Sequence, residues 1–551
     1  MSYFGPHLEP SDNDLSVWTW LFNSQTSTSP TPNYGFRDGT TGDFLSHVDL
    51  KNVATAASIA LAKDYGLTAG LTVAIVSRNS IWYPAAMLSV SRLGGVVTLL
   101  PPEAKSADLA YYFESSRSVL IFADTESMDQ VRQASQSINI PESRIISLDG
   151  SSDETSSLHQ LIARGNDLIP DHFVEPWKPL HQATSPCGFL CFSSGTTGRS
   201  KAVMISHNNV ISQLRQMQAL TPHSRQSTVL GILPFYHITG LVHLILLPIL
   251  LHQNIVILAK FDMKRMMDTI TNFRCNELWL VPPLLVRLLN DAVAQNYDLS
   301  FVEQFNTGAA PLTDQIIGRL ATRFPNIRIR QAWGMTETTS CLTVTPPHLA
   351  TWANANKVGK LVPGTDIRVV DPNTGIDVPK GEVGELWAKG PQITMGYLNR
   401  PNEQAETYVN GGFLRTGDLG SIDGEGFVTI HDRIKEMIKV RGHGVAPAEL
   451  EDFLLGHPLV SDVAVIGIPH EYSGEVPKAY VVVKPGVQTD AKTERQLLLF
   501  VERNKARHKR LSGGVEFIAE VPRSAAGKIL RRVLKDRWKV SQQKGGNRAK
   551  M

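Results

Sequence analysis

Over its first two thirds the chain alternates short apolar runs with amphipathic stretches. Thr72-Val73-Ala74-Ile75-Val76, Val96-Val97-Thr98-Leu99-Leu100 and Ser118-Val119-Leu120-Ile121-Phe122 are brief, rich in Val, Ile and Leu, and separated by helix-compatible sequence. Near-continuous apolar runs of that length read as strands buried on both faces, so a parallel α/β sheet covered by helices is predicted. Ser206 is placed as the N-cap of a helix from Asn208 to Leu220. Ile238 to Leu258 is the most lipid-like segment, but His243, Pro248, His252, Gln253 and Asn254 break it into runs too short to span a bilayer. It is predicted as a buried helix followed by the strand Ile255-Val256-Ile257-Leu258, with no transmembrane segment.

Beyond about Thr365 the texture changes to alternating strands punctuated by Gly and Pro: Asp366 to Asp371, Gly384 to Lys389 and Gly426 to Ile430. A small β-rich subdomain is expected there, and the charged segment Asp432-Arg433-Ile434-Lys435-Glu436 separates it from a C-terminal unit. The expected organisation is α/β: a large N-terminal domain of layered α/β sheets over 1–431, with the β-rich subdomain at about 365–431. A hinge at 432–435, a smaller, mobile α+β domain at 436–541 and a flexible polar tail at 542–551 complete it.

Composition narrows the function. The chain has 551 residues, too many for one compact core, and 42% are hydrophobic. Its 54 basic and 52 acidic side chains leave a net charge of +2, which gives no general electrostatic reason to bind nucleic acid. The four cysteines, Cys187, Cys191, Cys275 and Cys341, lack paired metal-ligand spacing, and no basic-then-apolar leader opens the chain. A reducing intracellular compartment fits, with Cys187 and Cys191 as small core residues.

The strongest chemical signal is Ser193-Ser194-Gly195-Thr196-Thr197-Gly198-Arg199-Ser200-Lys201, set between two strand-like runs. Glycines allow close backbone approach, hydroxyls and N–H groups offer donors to phosphate oxygens, and Lys201 adds a mobile charge. It is not a Walker A loop, since Ala202-Val203-Met204-Ile205 follows as a strand rather than a helix. Alone, the loop reads equally well as a solvated turn. Downstream, Gly308-Ala309-Ala310-Pro311 is a small-residue turn after the strand end Phe305-Asn306-Thr307. Gln331-Ala332-Trp333-Gly334-Met335-Thr336-Glu337 follows a strand at Ile327 to Arg330 and ends in a hydroxyl beside a carboxylate, suited to a phosphate oxygen and Mg²⁺. Thr416-Gly417-Asp418 offers a carboxylate to two ribose hydroxyls. Pro522-Arg523-Ser524-Ala525-Ala526-Gly527-Lys528 presents a lysine before a helix at Ile529 to Trp538.

Together with Pro234-Phe235-Tyr236-His237 and the segment from Asp432 to Gly442, these motifs resemble, in order and over nearly the whole chain, the adenylate-forming enzymes, nearest to the acyl-CoA synthetases and 4-coumarate–CoA ligases. The resemblance implies an ATP-dependent acid–thiol ligase using ATP, Mg²⁺ and CoA: a carboxylic acid becomes acyl-AMP with release of pyrophosphate, and the acyl group then passes to CoA. By position it implies that Ser193, Ser194, Gly195, Thr196, Thr197, Gly198 and Lys201 hold the β- and γ-phosphates, with Thr336 at the α-phosphate and Glu337 at Mg²⁺. Asp418 and Arg433 would take the ribose. Gly308, Ala309, Ala310, Gln331, Trp333 and Gly334 would wall the adenine and acyl groups. His237 would gate the thiol tunnel, Lys435 would be the hinge, and Lys439, Arg441 and Gly442 would face CoA, with Lys439 among the catalytic set. Lys528 would bridge carboxylate and phosphate oxygens during adenylation.

The chain departs from the 4-coumarate ligases at Gly444, where glutamine is usual, and at Trp333, Ala332 and Thr239 in the acyl region. An apolar acid, medium-chain, aryl or polyketide-derived, is expected. Ala549-Lys550-Met551 resembles a peroxisomal address read by an import receptor; without it a cytoplasmic enzyme is expected. A carrier-protein-loading adenylation enzyme, a luciferase-like oxygenase and a non-catalytic nucleotide binder are the rival readings.

Overall fold

The computed structural model describes residues 2–9, 15–23, 33–150, 156–169, 172, 174–179, 185–193, 199–221, 227–310, 312–409, 411–441, 443–524 and 527–548, the last six by backbone alone. Ser194, Gly195, Thr196, Thr197, Gly198, Pro311, Gly442, Ala525, Ala526 and Ala549-Lys550-Met551 lie outside the described residues.

Four sheets are formed among the described residues. In the first, the three apolar runs lie side by side as parallel strands, Val96–Leu100, Thr72–Val76 and Ser118–Ala123. The hairpin Cys187–Ser193 and Lys201–Ser206 extends this sheet, and Gly396–Tyr397 closes its edge. A second sheet runs parallel through Asn254–Ile257, Thr228–Gly231, Glu277–Trp279, Gln304–Thr307 and Arg328–Met335. Helices His47–Tyr65, Tyr83–Arg92 and His207–Ala219 share one continuous core with both sheets, in which Leu50, Tyr83, Leu214, Val73 and Val229 are all buried. Ser206 caps the last of these helices reciprocally with Asn209, at 3.0 and 2.9 Å.

The segment predicted as one buried helix is two. Gly240–Leu246 winds as a wide π-helical turn before the α-helical Leu247–Leu251, and the strand Asn254–Ile257 follows. A Cβ on Gly240 would overlap the Pro234 carbonyl oxygen, so glycine lets this turn pack directly on the segment that carries His237. Among the described residues no helix is long and apolar enough to cross a membrane.

A third, antiparallel sheet joins Asp366–Val370, Gly384–Lys389, Phe413–Ile422 and Val428–Arg433. The last strand begins two residues later than expected because Asp423 accepts from the Phe427 amide and holds Gly426 in the turn. Ser2–Phe4, unpredicted, forms its edge beside Asp366–Val370. The fourth sheet, built on Val460–His470 and Gly474–Val483, has its own core of Ile438, Val445, Leu450, Val463, Val481 and Leu497. The helix expected at Ile529 to Trp538 is instead Arg531–Arg548, continuing past Trp538.

Candidate active site

A cavity opens at the carboxyl ends of the second sheet's parallel strands, where ligand sites of open α/β sheets are found. Trp279 ends the strand Glu277–Trp279 and Val281 follows it, Thr307 ends the next strand and Gly308 follows it, and Ala332 to Met335 supply a third wall. His237 enters from the other side, and burial holds its imidazole neutral, lowered to about 4. Ala309 sits at φ 68°, a left-handed conformation that costs a non-glycine residue about 1 kcal/mol or more and is held here at the cavity wall. The strand expected to end at Arg330 continues to Met335. Gln331 does not line the cavity; its amide donates to the Ala355 carbonyl.

Trp333 has a different partner. Its indole N–H donates to Asp418 Oδ2 at 2.9 Å, and Arg433 Nε lies 3.0 Å from Oδ1 of the same carboxylate. Asp418 is almost fully buried, and its charge raises the Arg433 pKa, fixing the guanidinium as a cation. Lys528 belongs to this electrostatic group: burial and then Arg433 lower its pKa, while Glu436 and Asp418 act in the opposite sense. Gly527 at φ 80° brings the lysine-bearing loop against Val281, where an added Cβ would stand 3.0 Å from Val281 Cβ. Ser524 pins the loop from within, accepting from the Lys528 amide at 3.2 Å.

The phosphate-loop candidates emerge from a hairpin whose stems face one another, Ser193 opposite Lys201. Tyr111 donates to the Ser200 carbonyl at 3.0 Å and accepts from Arg400 at 3.2 Å, which fixes the outgoing stem. Tyr397, on the neighbouring edge strand, joins two predicted stations: its hydroxyl donates to Glu337 Oε1 at 2.9 Å, and Lys201 Nζ lies 4.7 Å from its ring centroid. Thr336 opens the single turn Thr336–Thr338, and Thr394 holds the Glu337 carbonyl at 3.1 Å through both its amide and its hydroxyl. One half-buried carboxylate next to the phosphate-loop candidates suits Mg²⁺, which takes few protein ligands and completes its shell with substrate phosphates and water. Tyr397 was missed because only sheet pairing brings it to the loop, and Tyr111 and Arg400 because long-range side-chain contacts from a helix and a helix start do so.

The C-terminal candidates lie apart from the cavity lining. Lys435 occupies the turn Ile434–Glu436, and Lys439 and Arg441 sit on the hairpin Ile438–Val440 and His443–Val445, tied to Glu475 and Ser473. Gly444 pairs opposite Lys439, and His443 stacks on His508 at 4.9 Å. Arg531 is gripped by Glu436 and, at 2.7 Å, by Glu451, while Asp432 accepts from the Ala448 amide at the start of helix Pro447–Leu455.

The AMP-binding enzyme family model matches residues 29–398, and its C-terminal domain model matches 449–528. The chain is an AMP-binding enzyme. The peroxisomal OPC-8:0-CoA ligase 1 of Arabidopsis thaliana is 32% identical over 95% of this chain and 93% of its own, and a probable CoA ligase of Humulus lupulus, CCL5, is 32% identical over 95% and 93%. The crystal structure of ATP-bound MatB from Rhodopseudomonas palustris superposes with a TM-score of 0.81 at 27% identity, covering 96% of this chain and 99% of that one. An anthranilate CoA ligase at 21% identity and TM-score 0.84 shares the fold. As an AMP-binding enzyme of the CoA-ligase kind, the protein is an adenylate-forming acid–thiol ligase, with ATP, Mg²⁺ and CoA as its co-reactants.

Proposed function

We propose that this ligase activates an apolar carboxylic acid in the cavity between Trp279, Val281 and Ala332, and that the residues named above divide the work of two half-reactions. The observation that carries the reading is the convergence of Lys528, Asp418, Arg433 and Glu436, with the lysine loop seated on Val281 at the cavity. In the first half-reaction a carboxylate oxygen attacks the α-phosphorus of ATP and the bond to pyrophosphate breaks. Lys528 stabilises the charge gathering between carboxylate and phosphate, as a point charge held by its loop. Asp418 and Arg433 orient the ribose, and Trp333 orients Asp418. Thr336 binds the α-phosphate, and Ser193 and Lys201 act at the phosphates that leave. Glu337 holds Mg²⁺, which offsets phosphate charge.

In the second half-reaction the CoA thiolate attacks the acyl carbonyl carbon and AMP departs. Lys528 must leave for the thiol to enter, so the unit following Lys435 turns and brings Lys439 and Arg441 to the cleft, with His237 at the tunnel between acyl group and thiol. The proposed division places the hinge at 432–435 between an N-terminal domain ending at 431 and a mobile domain over 436–541. Separating the steps lets one cavity exclude water from a mixed anhydride and then admit a nucleophile. Peroxisomal import through Ala549-Lys550-Met551 belongs to this reading, supported by the peroxisomal relative; a tag masking that end should leave the protein cytosolic.

The test is acid-dependent ATP–pyrophosphate exchange over a panel of aliphatic and aryl acids, followed by thioester formation with CoA against a holo-carrier protein. Exchange plus CoA thioester is expected. Exchange with transfer only to the carrier would replace CoA as acceptor, and no exchange with any acid would overturn the reading.

A further inference from the structure

The cavity is apolar for the most part, with Trp279, Leu280, Val281 and Ala332 in its walls, yet two of its lining residues carry a fully buried side-chain atom without a hydrogen-bond partner among the described residues: His243 at Nδ1 and Thr307 at Oγ1. Buried polar groups are ordinarily paired, and an orphan in a native structure calls for a missing water, ion or ligand. His243 is the better defined of the two. It sits on the wide turn Gly240–Leu246, its ring stacks on Trp279 at 4.6 Å with planes 28° apart, and its other nitrogen, Nε2, is 2.9 Å from Ser340 Oγ and 3.4 Å from Cys341 Sγ. Three contacts therefore fix the ring, and only Nδ1 has no assignment.

Resting on the reading above, we propose that the acid carries an uncharged oxygen, a hydroxyl or a carbonyl, on its acyl portion, and that His243 selects for it through Nδ1. A purely hydrocarbon acyl group leaves the nitrogen unpaired, whereas an oxygenated one pairs it, and a site built to hydrogen-bond a substrate group discriminates strongly against the analogue lacking it. The acid's own carboxylate does not meet this need, because Lys528 engages it. Burial, reinforced by the Arg330 charge, lowers the imidazole to about 3, so it stays neutral and offers no charge to a second carboxylate. Arg330 itself is occupied by the carbonyls of Thr345 and Leu220.

The test compares kcat/KM in ATP–pyrophosphate exchange for matched pairs: hexanoate, octanoate and decanoate against their terminal-hydroxy counterparts, and cinnamate against para-hydroxycinnamate. Wild type is expected to favour the oxygenated member of at least one pair by about ten-fold or more. His243→Phe, which retains a ring to stack on Trp279, is expected to collapse that ratio. Equal use of both members in every pair overturns the inference while leaving the ligase reading standing, as does a preference that survives His243→Phe. Silence with every acid overturns the ligase reading and this inference with it. The wild-type ratio requires no variant, so a misfolded His243→Phe protein would not rescue the proposal from a flat wild-type profile.

Discussion

The hydroxyl of Tyr397 donates to Glu337 Oε1 at 2.9 Å while its ring receives Lys201 at 4.7 Å, so one side chain orients both the carboxylate assigned to Mg²⁺ and the lysine that closes the phosphate loop. Tyr397→Phe keeps the ring and removes the hydrogen bond. It is expected to raise the Mg²⁺ concentration needed for half-maximal pyrophosphate exchange by roughly ten-fold, the worth of one hydrogen bond to a charged group, with a smaller effect at saturating Mg²⁺. A Mg²⁺ titration of both proteins checks this, and unchanged Mg²⁺ dependence would reduce Tyr397 to a packing role.

Lys528→Ala should slow adenylation by roughly 10²-fold or more, as expected when one transition-state donor is removed. Thioester formation from supplied acyl-AMP should be nearly unaffected. Burial and the neighbouring Arg433 lower the Lys528 pKa, and the charged form is the useful one. Adenylation should therefore decline as pH rises, with a midpoint below the ordinary lysine range, and Lys528→Arg should move that decline upward. Single-turnover pH profiles measure both.

Trp333→Phe deletes the N–H that reaches Asp418 Oδ2. The carboxylate proposed to take the ribose keeps Arg433 but loses its second anchor, so the KM for ATP is expected to rise by roughly ten-fold with little change in the affinity for the acid. Saturation curves in each substrate separate the two.

Arg531 faces Glu451 and Glu436 in a largely buried cluster near Asp432. Arg531→Met would leave these carboxylates without their cation, costing about 3–5 kcal/mol at neutral pH. The pKa values of Glu451 and Asp432 are raised, chiefly by burial, and removal of the arginine raises them further. For a raised carboxyl, stability is fully present below the unfolded pKa and is lost as pH rises through the folded one. The defect should therefore shrink on acidification, which urea melts across mildly acidic to neutral pH would record.

Much of the fold was legible where local pattern and burial agree. The runs at Thr72, Val96 and Ser118 are apolar on both faces and became adjacent central strands, and Ser206 had the hydroxyl its helix needed. The β-strand boundary at Met335 was not legible, because Gln331 and Gly334 are poor strand signals and the pairing of Arg328–Met335 with Ser340–Val344 holds them extended. The same blindness hid Tyr397, whose position comes from antiparallel pairing with Val203, almost two hundred residues earlier in the chain. His243 read as an interruption in an apolar stretch; only the stack on Trp279 and the bond to Ser340 reveal a fixed group at a cavity wall.

Gly527 packs so close to Val281 that an added Cβ would stand 3.0 Å from it, and Val281 lines the cavity proposed for the acyl group, so the surface proposed to cradle the acyl tail is also the seat of the loop that carries the proposed adenylating lysine. An acid bulky enough to displace Val281 would lift that seat. Such an acid could still enter and bind, yet meet a site whose charge is out of place, so rejection of oversized acids should appear as slow turnover rather than weak affinity.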